Sequence, residues 1–586
     1  MDRRRFFKYV GTGLVAAAAA GAGYLFYGKQ RGAAPTGTLT TSLAHTTATT
    51  SAEVYEGLRV VFPEPKQYQH QYEYDADFES IEFLDENSNV IYSRGVWSSV
   101  DREYRVPSIP ESARFTKLKA SAHPSYSCWD DVSFNEIKKK AKRLDVYFAG
   151  RKVDSTQICA RDETYYLRLK PEMDSDRDGI LDGDDFNPRV PEPRRVKPRN
   201  DVTLIAVYLP SWGAKYPPWW RGATNPKSLT LTIGTELHPI LGQRHPIDPA
   251  GTYDSRDPDI ADWHIKWALE HGVTAFMIDW SPIEVDPSGA FHHTFEDGFL
   301  RANYRDMMKF GIMHITDQTW DYPEWFRGYE HVKLTARRGL DYVKENYFDY
   351  PSYLRLGKRY FYMLFRISEY AIEHGLDRLN DLVDSLHDQD VYLVGDVGPY
   401  GVYHDRPLNE KIVRVFDAIS AYNWLEAGAQ EHIRIVKRNG VDVWTLIAPY
   451  SQMASGYYRE WRYWSELAKD CGVDFITPLC SGFSNKAAYE SGAAYRENFH
   501  VERTGRTPEL FRKMCLDSVG FIEKSRTNMC LIDGWNEIHE SSTLEPMVEH
   551  AFDYLDVVRD VFCDEPGGGW PPNVVPTRDG VRQYLA

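Results

Sequence analysis

Near the end of the 586-residue chain, Asp533-Gly534-Trp535-Asn536-Glu537-Ile538-His539-Glu540 gathers three acids, a histidine, an asparagine and a tryptophan directly behind the apolar run Met529-Cys530-Leu531-Ile532. Two carboxylates this close can divide acid and base work, because each raises the cost of ionising the other and one of them is kept protonated. Other polar and aromatic groups stand where further apolar runs end: Tyr208 and Trp212, Asp279 and Trp280, His314 and Asp317, Asp396, and Tyr422-Asn423-Trp424. Converging carboxylates with flat amphipathic rings are the equipment of glycoside cleavage, in which one acid protonates the leaving oxygen and a second carboxylate serves as base or nucleophile. A lone strand-end acid such as Asp396 reads instead as a cap or structural hydrogen-bond acceptor.

A second acidic pattern calls for a different chemistry. In Asp174-Ser-Asp176-Arg-Asp178-Gly179-Ile180-Leu-Asp182-Gly-Asp184-Asp185, acids occupy loop positions 1, 3, 5, 9 and 12, with glycine at 6 and a backbone carbonyl, that of Ile180, at 7. That spacing can wrap a hard cation in oxygen, and Asp174, Asp176, Asp178, Ile180, Asp182 and Asp185 are the expected ligands of a structural Ca²⁺. With Asn187-Pro188 behind it, the loop resembles the calcium loops of thrombospondin type 3 and dockerin-like repeats, with Asp185 in place of the glutamate of an EF-hand.

These groups need elements to hold them. Beyond Asn200 the runs 204–209, 274–278, 311–315, 360–364, 391–394, 416–421, 443–447, 475–477 and 529–532 read as strands, and helical stretches such as 260–271, 333–347 and 461–469 fall between them. Alternating β and α elements of this length mean parallel strands with crossover helices, and strand-end carboxylates point to a (β/α)8 TIM barrel over residues 201–565. Nine runs compete for eight places, leaving either Val443–Ile447 or Phe475–Thr477 outside. No glycine-rich phosphate loop follows the first strand, so no nucleotide cofactor is expected. Upstream, over residues 54–172, short alternating runs at 58–62, 81–84, 90–92, 144–148 and 165–169 read as a smaller all-β, sandwich-like domain, with a lysine-rich helix from Phe134. Residues 173–200 carry the acidic loop and a Pro/Arg linker, where a bound cation would stiffen the joint, and 566–586 form a tail.

A formal charge of -16 and a pI near 5.6 exclude a nucleic-acid partner for want of a basic surface. Seven cysteines, without C-x-x-C spacing, exclude a disulfide scaffold or thiolate metal site, although an exported chain could pair Cys128 with Cys159. Sixteen Trp and 38 Tyr exceed what packing needs and suit sugar stacking. The opening Arg3-Arg4-Arg5-Phe6-Phe7-Lys8 resembles the twin-arginine export signal. Behind it, the uncharged, alanine- and glycine-rich Tyr9–Gly28 suits either an uncleaved anchor, for which about 20 apolar residues are needed, or cleavage near Ala20-Gly21-Ala22. The expectation is a chain handled by the twin-arginine translocase, with residues 1–30 as signal or anchor, 31–53 as a Thr/Ser-rich linker, and the rest extracellular or at the outer face of the membrane.

Trp535-Asn536-Glu537-Ile538-His539-Glu540, with Leu544-Glu545-Pro546, resembles the W-N-E-W-H-E-G-T-Q-I-E-P signature of glycoside hydrolase family 99 and the related W-N-E-W-A-E-G signature of WbsX-type proteins of polysaccharide clusters. Gly251-Thr-Tyr253-Asp254-Ser255-Arg-Asp257-Pro258, Tyr347-Phe-Asp-Tyr-Pro351-Ser-Tyr353 and Arg503-Thr-Gly-Arg506-Thr-Pro508 agree with it, and the likeness runs from about residue 200 to 562. The resemblance implies a (β/α)8 endo-α-mannosidase that retains configuration through a 1,2-anhydro sugar, with Glu537 taking the 2-hydroxyl proton and Glu540 as acid/base. Tyr208, Trp212, Tyr253, Asp254, Asp279, Trp280, His314, Tyr422, Asn423, Trp535, Asn536 and His539 are then the expected substrate contacts on an oligo- or polysaccharide. Ile538 stands where the family has tryptophan, Ser541-Ser542-Thr543 where it has G-T-Q, and Asp279-Trp280-Ser281 where it often has serine and paired tryptophans. The competing readings are a glycan-binding or cell-surface structural protein on a degenerate barrel, and a WbsX-like polysaccharide-processing protein.

Overall fold

The computed structural model describes residues 58–61, 68–69, 72–73, 75–85, 90–95, 103–106, 109–123, 142–148, 151–158, 163–212, 235–244, 253–282, 291–315, 329–398, 405–438, 440–490, 499–522 and 524–576. The export segment 1–30, the linker 31–53, the lysine-rich stretch 134–141, Cys128, Cys159, Asp317 and the last ten residues of the tail lie outside them.

Eight parallel strands close into a ring: β1 (Thr203–Tyr208), β2 (Ala275–Trp280), β3 (Lys309–His314), β4 (Arg359–Leu364), β5 (Val391–Asp396), β6 (Ala418–Ser420), β7 and β8 (Met529–Ile532). β7 is split about Ile476 into Asp474–Phe475, which pairs with β6, and Thr477–Leu479, which pairs with β8. Since β8 also pairs with β1, no edge is left open. Crossovers are α1 (Pro258–Glu270), the short α2 (His292–Asp297), α3 (Tyr329–Asn346), α4 (Leu376–Leu386), α5 (Arg406–Val413), α6 (Tyr450–Cys471) and α7 (Pro508–Ile522), and α8 (Asp553–Phe562) follows the last strand. β2, β5 and β8 are buried at every position, which is why they read as unbroken apolar runs: one face fills the barrel and the other meets the helices.

The ninth run is the one outside. Val441–Pro449 pairs antiparallel with Arg434–Arg438 and parallel with Phe499–Thr504 in a separate three-stranded sheet. Trp444, Leu446 and Ala448 face a small core of their own with Phe483 and Val501, whereas Ile447 on the other face is exposed. A strand with one wet face alternates, and that period of two separates it from the barrel strands.

The N-terminal unit has two four-stranded antiparallel sheets. In one the order is Glu103–Val106, Leu58–Val61, Lys142–Phe148, Arg151–Ile158; in the other it is Glu163–Arg168, Phe115–His123, Asp75–Leu84, Val90–Gly95. Val146 of the first joins Ile81, Phe83, Leu118, Tyr165 and Leu167 of the second in one core, as in a sandwich. Polar contacts then bind this unit to the start of α1. Asp257 caps α1 through Asp259 N–H at 3.1 Å and also accepts the Tyr166 hydroxyl at 2.8 Å and Lys117 Nζ at 2.7 Å. Arg189 reaches Asp259 at 3.3 Å, and Asn187 donates to Asp262 at 3.0 Å. The acidic loop 174–185 therefore sits directly before the residues that make the joint. Among the described residues no helix is long and apolar enough to cross a membrane.

Candidate active site

The chain leaving β8 folds into a hairpin. Asn536–Glu537 pairs antiparallel with Ser542–Thr543, and the 3-10 turn Ile538–Glu540 connects them. Glu537 stands at the end of the first arm and Glu540 ends the turn, and both lie near enough to Asp279 and Tyr422 for their charges to act on each. Gly534 permits the fold-back, since a Cβ there would stand 2.0 Å from Ser542 O. Ser541 ends the turn at φ 53°, the left-handed region that glycine enters most readily, and glycine is what the family 99 signature carries after its second glutamate. Arg506 fixes the returning arm by donating to Ser541 O and, at 3.1 Å, to Thr543 O, with its guanidinium 4.0 Å over the Tyr554 ring.

Both glutamates are only 1% exposed, so their charges are largely out of water. Asp279, at the end of β2, belongs to the same group. Burial first, then the charges of Glu537 and Glu540, hold its carboxyl well above the usual carboxylate range, and its Oδ1 has no hydrogen-bond partner among the described atoms. Tyr422, after β6, is likewise raised by burial and then by Glu537, Glu540, Asp533 and Asp279, so its hydroxyl stays protonated. His539 Nδ1 lies 2.8 Å from Glu537 Oε1, and the Trp212 ring packs edge-on against the His539 ring at 5.4 Å. Two further acids are held in place by backbone donors. Asp396 accepts Arg366 N–H at 2.8 Å and Tyr422 N–H at 2.9 Å, and burial pushes it up to about 6. Asp533 accepts Ser481 N–H at 3.2 Å and is also raised to about 6 by burial. Asp396 thereby ties the end of β4 to the loop after β6 and is a structural acceptor.

Beneath the hairpin lies a buried polar floor. Asn536 accepts Leu209 N–H at 2.7 Å, returns a bond to Leu209 O at 2.9 Å, and donates to the Tyr253 hydroxyl at 3.0 Å. Tyr253 donates to Glu545 at 2.8 Å, and Glu545 meets His264 Nε2 at 3.0 Å. His264 Nδ1 in turn lies 3.2 Å from the Tyr208 hydroxyl. Trp212 Nε1 donates to Asn536 O at 3.1 Å, and Trp535 packs edge-on against His264 and Phe276. Each end of the hairpin is thus bonded to β1 or α1.

Of the expected substrate contacts, the structure brings Asp279, Tyr422 and His539 together with Glu537 and Glu540. Asn423 is buried beside Tyr422 in the chain. Trp212, Tyr253, Trp535 and Asn536 belong to the floor. Tyr208, Trp280 and His314 are not brought to the carboxylates, because each is on the helix-facing side of its strand. Tyr208 meets His264 of α1. Trp280 and His314 lie side by side against Gly339 of α3, and His314 also bonds the Tyr362 hydroxyl at 2.6 Å. Burial lowers His314 to about 3, so it is neutral at working pH. Asp254 is held by Arg256, Nη2 to Oδ2 at 2.8 Å. Residues that chemistry-seeking reasoning passed over are Arg506, Glu545 and His264. The first two stood in stretches quoted for the family resemblance, whereas His264 carried no local signal.

In the loop 174–185, carboxylate oxygens of Asp174, Asp176 and Asp178 lie within 4.8 Å of one another. Asp176 Oδ2 and Asp185 Oδ2 are buried with no hydrogen-bond donor among the described atoms. Burial, then Asp178 and Asp185, push Asp176 up to about 7. Asp182 is turned to Ser175 instead, accepting its N–H at 2.8 Å and its hydroxyl at 2.6 Å. Asp174 accepts Arg177 and Gly179 N–H, and Asp178 accepts Ile180 N–H, so the buried donorless oxygens are Oδ2 of Asp176 and Oδ2 of Asp185, and these converging, mutually repelling carboxylates could hold a hard cation.

Fold and site together define a (β/α)8 barrel whose strand-end loops gather buried carboxylates. Among solved structures the chain is similar to a "glycoside hydrolase-like protein", with 14% identity and a TM-score of 0.40 over 64% of this chain and 97% of the other. It is also similar to the "GH99 endo-alpha-mannosidase" of Bacteroides thetaiotaomicron in two structures. One, with bis-tris-propane, has 13% identity and a TM-score of 0.40 over 61% of this chain and 95% of the other; the second has 14% and 0.37 over 61% and 96%. No family model and no curated protein matches the chain. At these scores the barrel rests on its strand pairing, and the named activity is that of the neighbours.

The hairpin geometry makes a stability prediction. Ser541→Gly relieves the left-handed φ and removes a buried hydroxyl that has no partner among the described atoms, raising unfolding free energy by about 1 kcal/mol. Arg506→Ala strands two carbonyls and lowers it by about 1–3 kcal/mol. Chemical denaturation of the two variants against wild type reads both signs.

Proposed function

We propose that the chain is a glycoside hydrolase, endo-acting on α-mannose-containing glycans with retention, in which Glu537 is the base and Glu540 the acid/base. The observation that carries this reading is the buried hairpin after the last barrel strand, whose Glu537 and Glu540 both act on Asp279 and Tyr422 at the C-terminal end of the barrel strands. The assignment of the two roles comes from the family 99 resemblance.

In this reading Glu537 takes the proton of the sugar 2-hydroxyl, and that oxygen closes on the anomeric carbon. Glu540 passes its proton to the departing glycosidic oxygen, so the C–O bond breaks as the anhydro ring forms. Glu540, now a carboxylate, takes a proton from water, whose oxygen attacks the anomeric carbon and opens the ring, and the 2-oxygen recovers its proton from Glu537. Two inversions give net retention. Burial and the neighbouring carboxylates favour the protonated forms of Asp279 and Tyr422, which then offer hydroxyl donors to the sugar. The twin-arginine-like start supports export, with action on glycan at or beyond the outer face of the membrane.

The test separates the two glutamates. Glu537→Gln and Glu540→Gln should both stop oligosaccharide release from α-mannans. An α-mannoside with an activated phenol as leaving group needs no acid for its departure, so it should be cleaved by Glu540→Gln and not by Glu537→Gln. Wild type that binds mannan and releases nothing, or equal loss in both variants on the activated substrate, contradicts the assignment; the first outcome favours a glycan-binding protein.

We also propose that loop 174–185 holds Ca²⁺ through Asp174, Asp176, Asp178, Asp185 and the Ile180 carbonyl, stiffening the joint to α1. Protons and Ca²⁺ compete for Asp176, whose carboxyl burial and its acidic neighbours push up to about 7. Calcium affinity, read by calorimetry, should therefore fall as pH drops below about 7, approaching roughly tenfold per unit for a single competing proton. A flat profile between pH 5 and 8, or binding unaltered by Asp176→Asn, contradicts it.

A further inference from the structure

The helix α2 begins His292-His293 and carries Glu296, so the glutamate stands four residues after one histidine and three after the other. Both spacings bring side chains to one face of a helix. Ligand atoms of all three lie within 4.8 Å of one another: His292 Nε2 is 3.7 Å from Glu296 Oε1, and His293 Nδ1 is 3.8 Å from Glu296 Oε2. Those two separations are longer than hydrogen bonds. Ligands bound to zinc at 2.0–2.2 Å and at tetrahedral angles stand about 3.4 Å apart, a few tenths of an ångström less than the two histidine–glutamate separations, each to its own carboxylate oxygen, and the remaining separation lies within 4.8 Å.

The surroundings are those of a coordinating group. Tyr342 and Tyr347, reaching in from α3 and the residue just beyond its end, donate to Glu296 Oε1 at 2.7 and 2.9 Å and so fix the carboxylate's orientation. Outer bonds of this kind orient metal ligands. The Tyr342 ring packs 4.6 Å from the His292 ring and the Trp280 ring 5.4 Å from it. His292 and Glu296 are buried, while the His293 side chain keeps 21% of its surface exposed, giving an ion a way in. We infer that His292, His293 and Glu296 bind one Zn²⁺ ion, with a fourth position left to water.

Two imidazoles and a carboxylate suit a borderline cation; Ca²⁺ and Mg²⁺, which take six or more oxygens, do not match this set. The site is separate from the catalytic carboxylates and from the acidic loop. Its consequence is local. Trp280 is the neighbour of Asp279 in β2, and an ion held behind Trp280 braces that strand end against α2 and α3.

Full-length protein stripped with a chelator and returned to saturating Ca²⁺ should bind one Zn²⁺ per chain in competition with a chromogenic chelator. Co²⁺ in its place should show visible d–d bands without the near-ultraviolet charge transfer of a thiolate. His293→Ala, at the exposed ligand, should melt like metal-free wild type yet bind Zn²⁺ at least about 100-fold more weakly and lose the cobalt bands. Glu296→Gln provides a second variant with the same expectation. Absence of tight Zn²⁺ binding by wild type, undiminished binding in His293→Ala, or a thiolate band in the cobalt form would overturn the site.

Discussion

The structure turns on carboxylates kept out of water at one end of a barrel. Asp279, Asp396, Asp533, Glu537 and Glu540 are each at most 2% exposed, and an isolated charge in such a place costs several kcal/mol. Backbone N–H groups offset that cost for Asp396 and Asp533. Asp279 has an oxygen with no such donor and two acidic neighbours, and its carboxyl is held well above the usual carboxylate range. The arrangement divides these carboxylates: Asp396 and Asp533 have backbone donors, whereas the charge of Asp279 is disfavoured by Glu537 and Glu540.

That division requires the β8 hairpin to stay where it is, and most of the polar structure around it serves this. Asn536 is bonded to both backbone groups of Leu209, Glu545 is held by Tyr253 and His264, and Arg506 grips two carbonyls of the returning arm. None of these three side chains has to touch a substrate to matter. A shift of the hairpin would move both glutamates together relative to Asp279. The strained φ at Ser541 belongs to the same design, since the chain must turn there for the second arm to pair with the first.

Much of the barrel was legible because strands buried on both faces leave continuous apolar runs, as in Ala275–Trp280 and Val391–Asp396. The choice between two surplus runs was not made from sequence, and the deciding feature was the one-sided alternation of Trp444, Leu446 and Ala448. Glu537 and Glu540 were legible as a pair because a strand runs straight into them. Tyr208, Trp280 and His314 were misplaced for one physical reason: consecutive residues of a strand point to opposite faces, so of Asp279 and Trp280 only one can look into the barrel. His264 was invisible because its partners lie 56 residues before it and 281 after it, on other elements. The acidic loop announced its own spacing, yet only the fold shows Asp182 turned away to Ser175.

The central claim is that burial and two neighbouring glutamates keep Asp279 protonated. Infrared difference spectroscopy tests it directly: wild type minus Asp279→Asn, recorded at pH 8, should contain the carbonyl stretch of a protonated carboxylic acid. A difference spectrum showing only carboxylate bands would mean that Asp279 is charged beside Glu537 and Glu540, and would contradict the account.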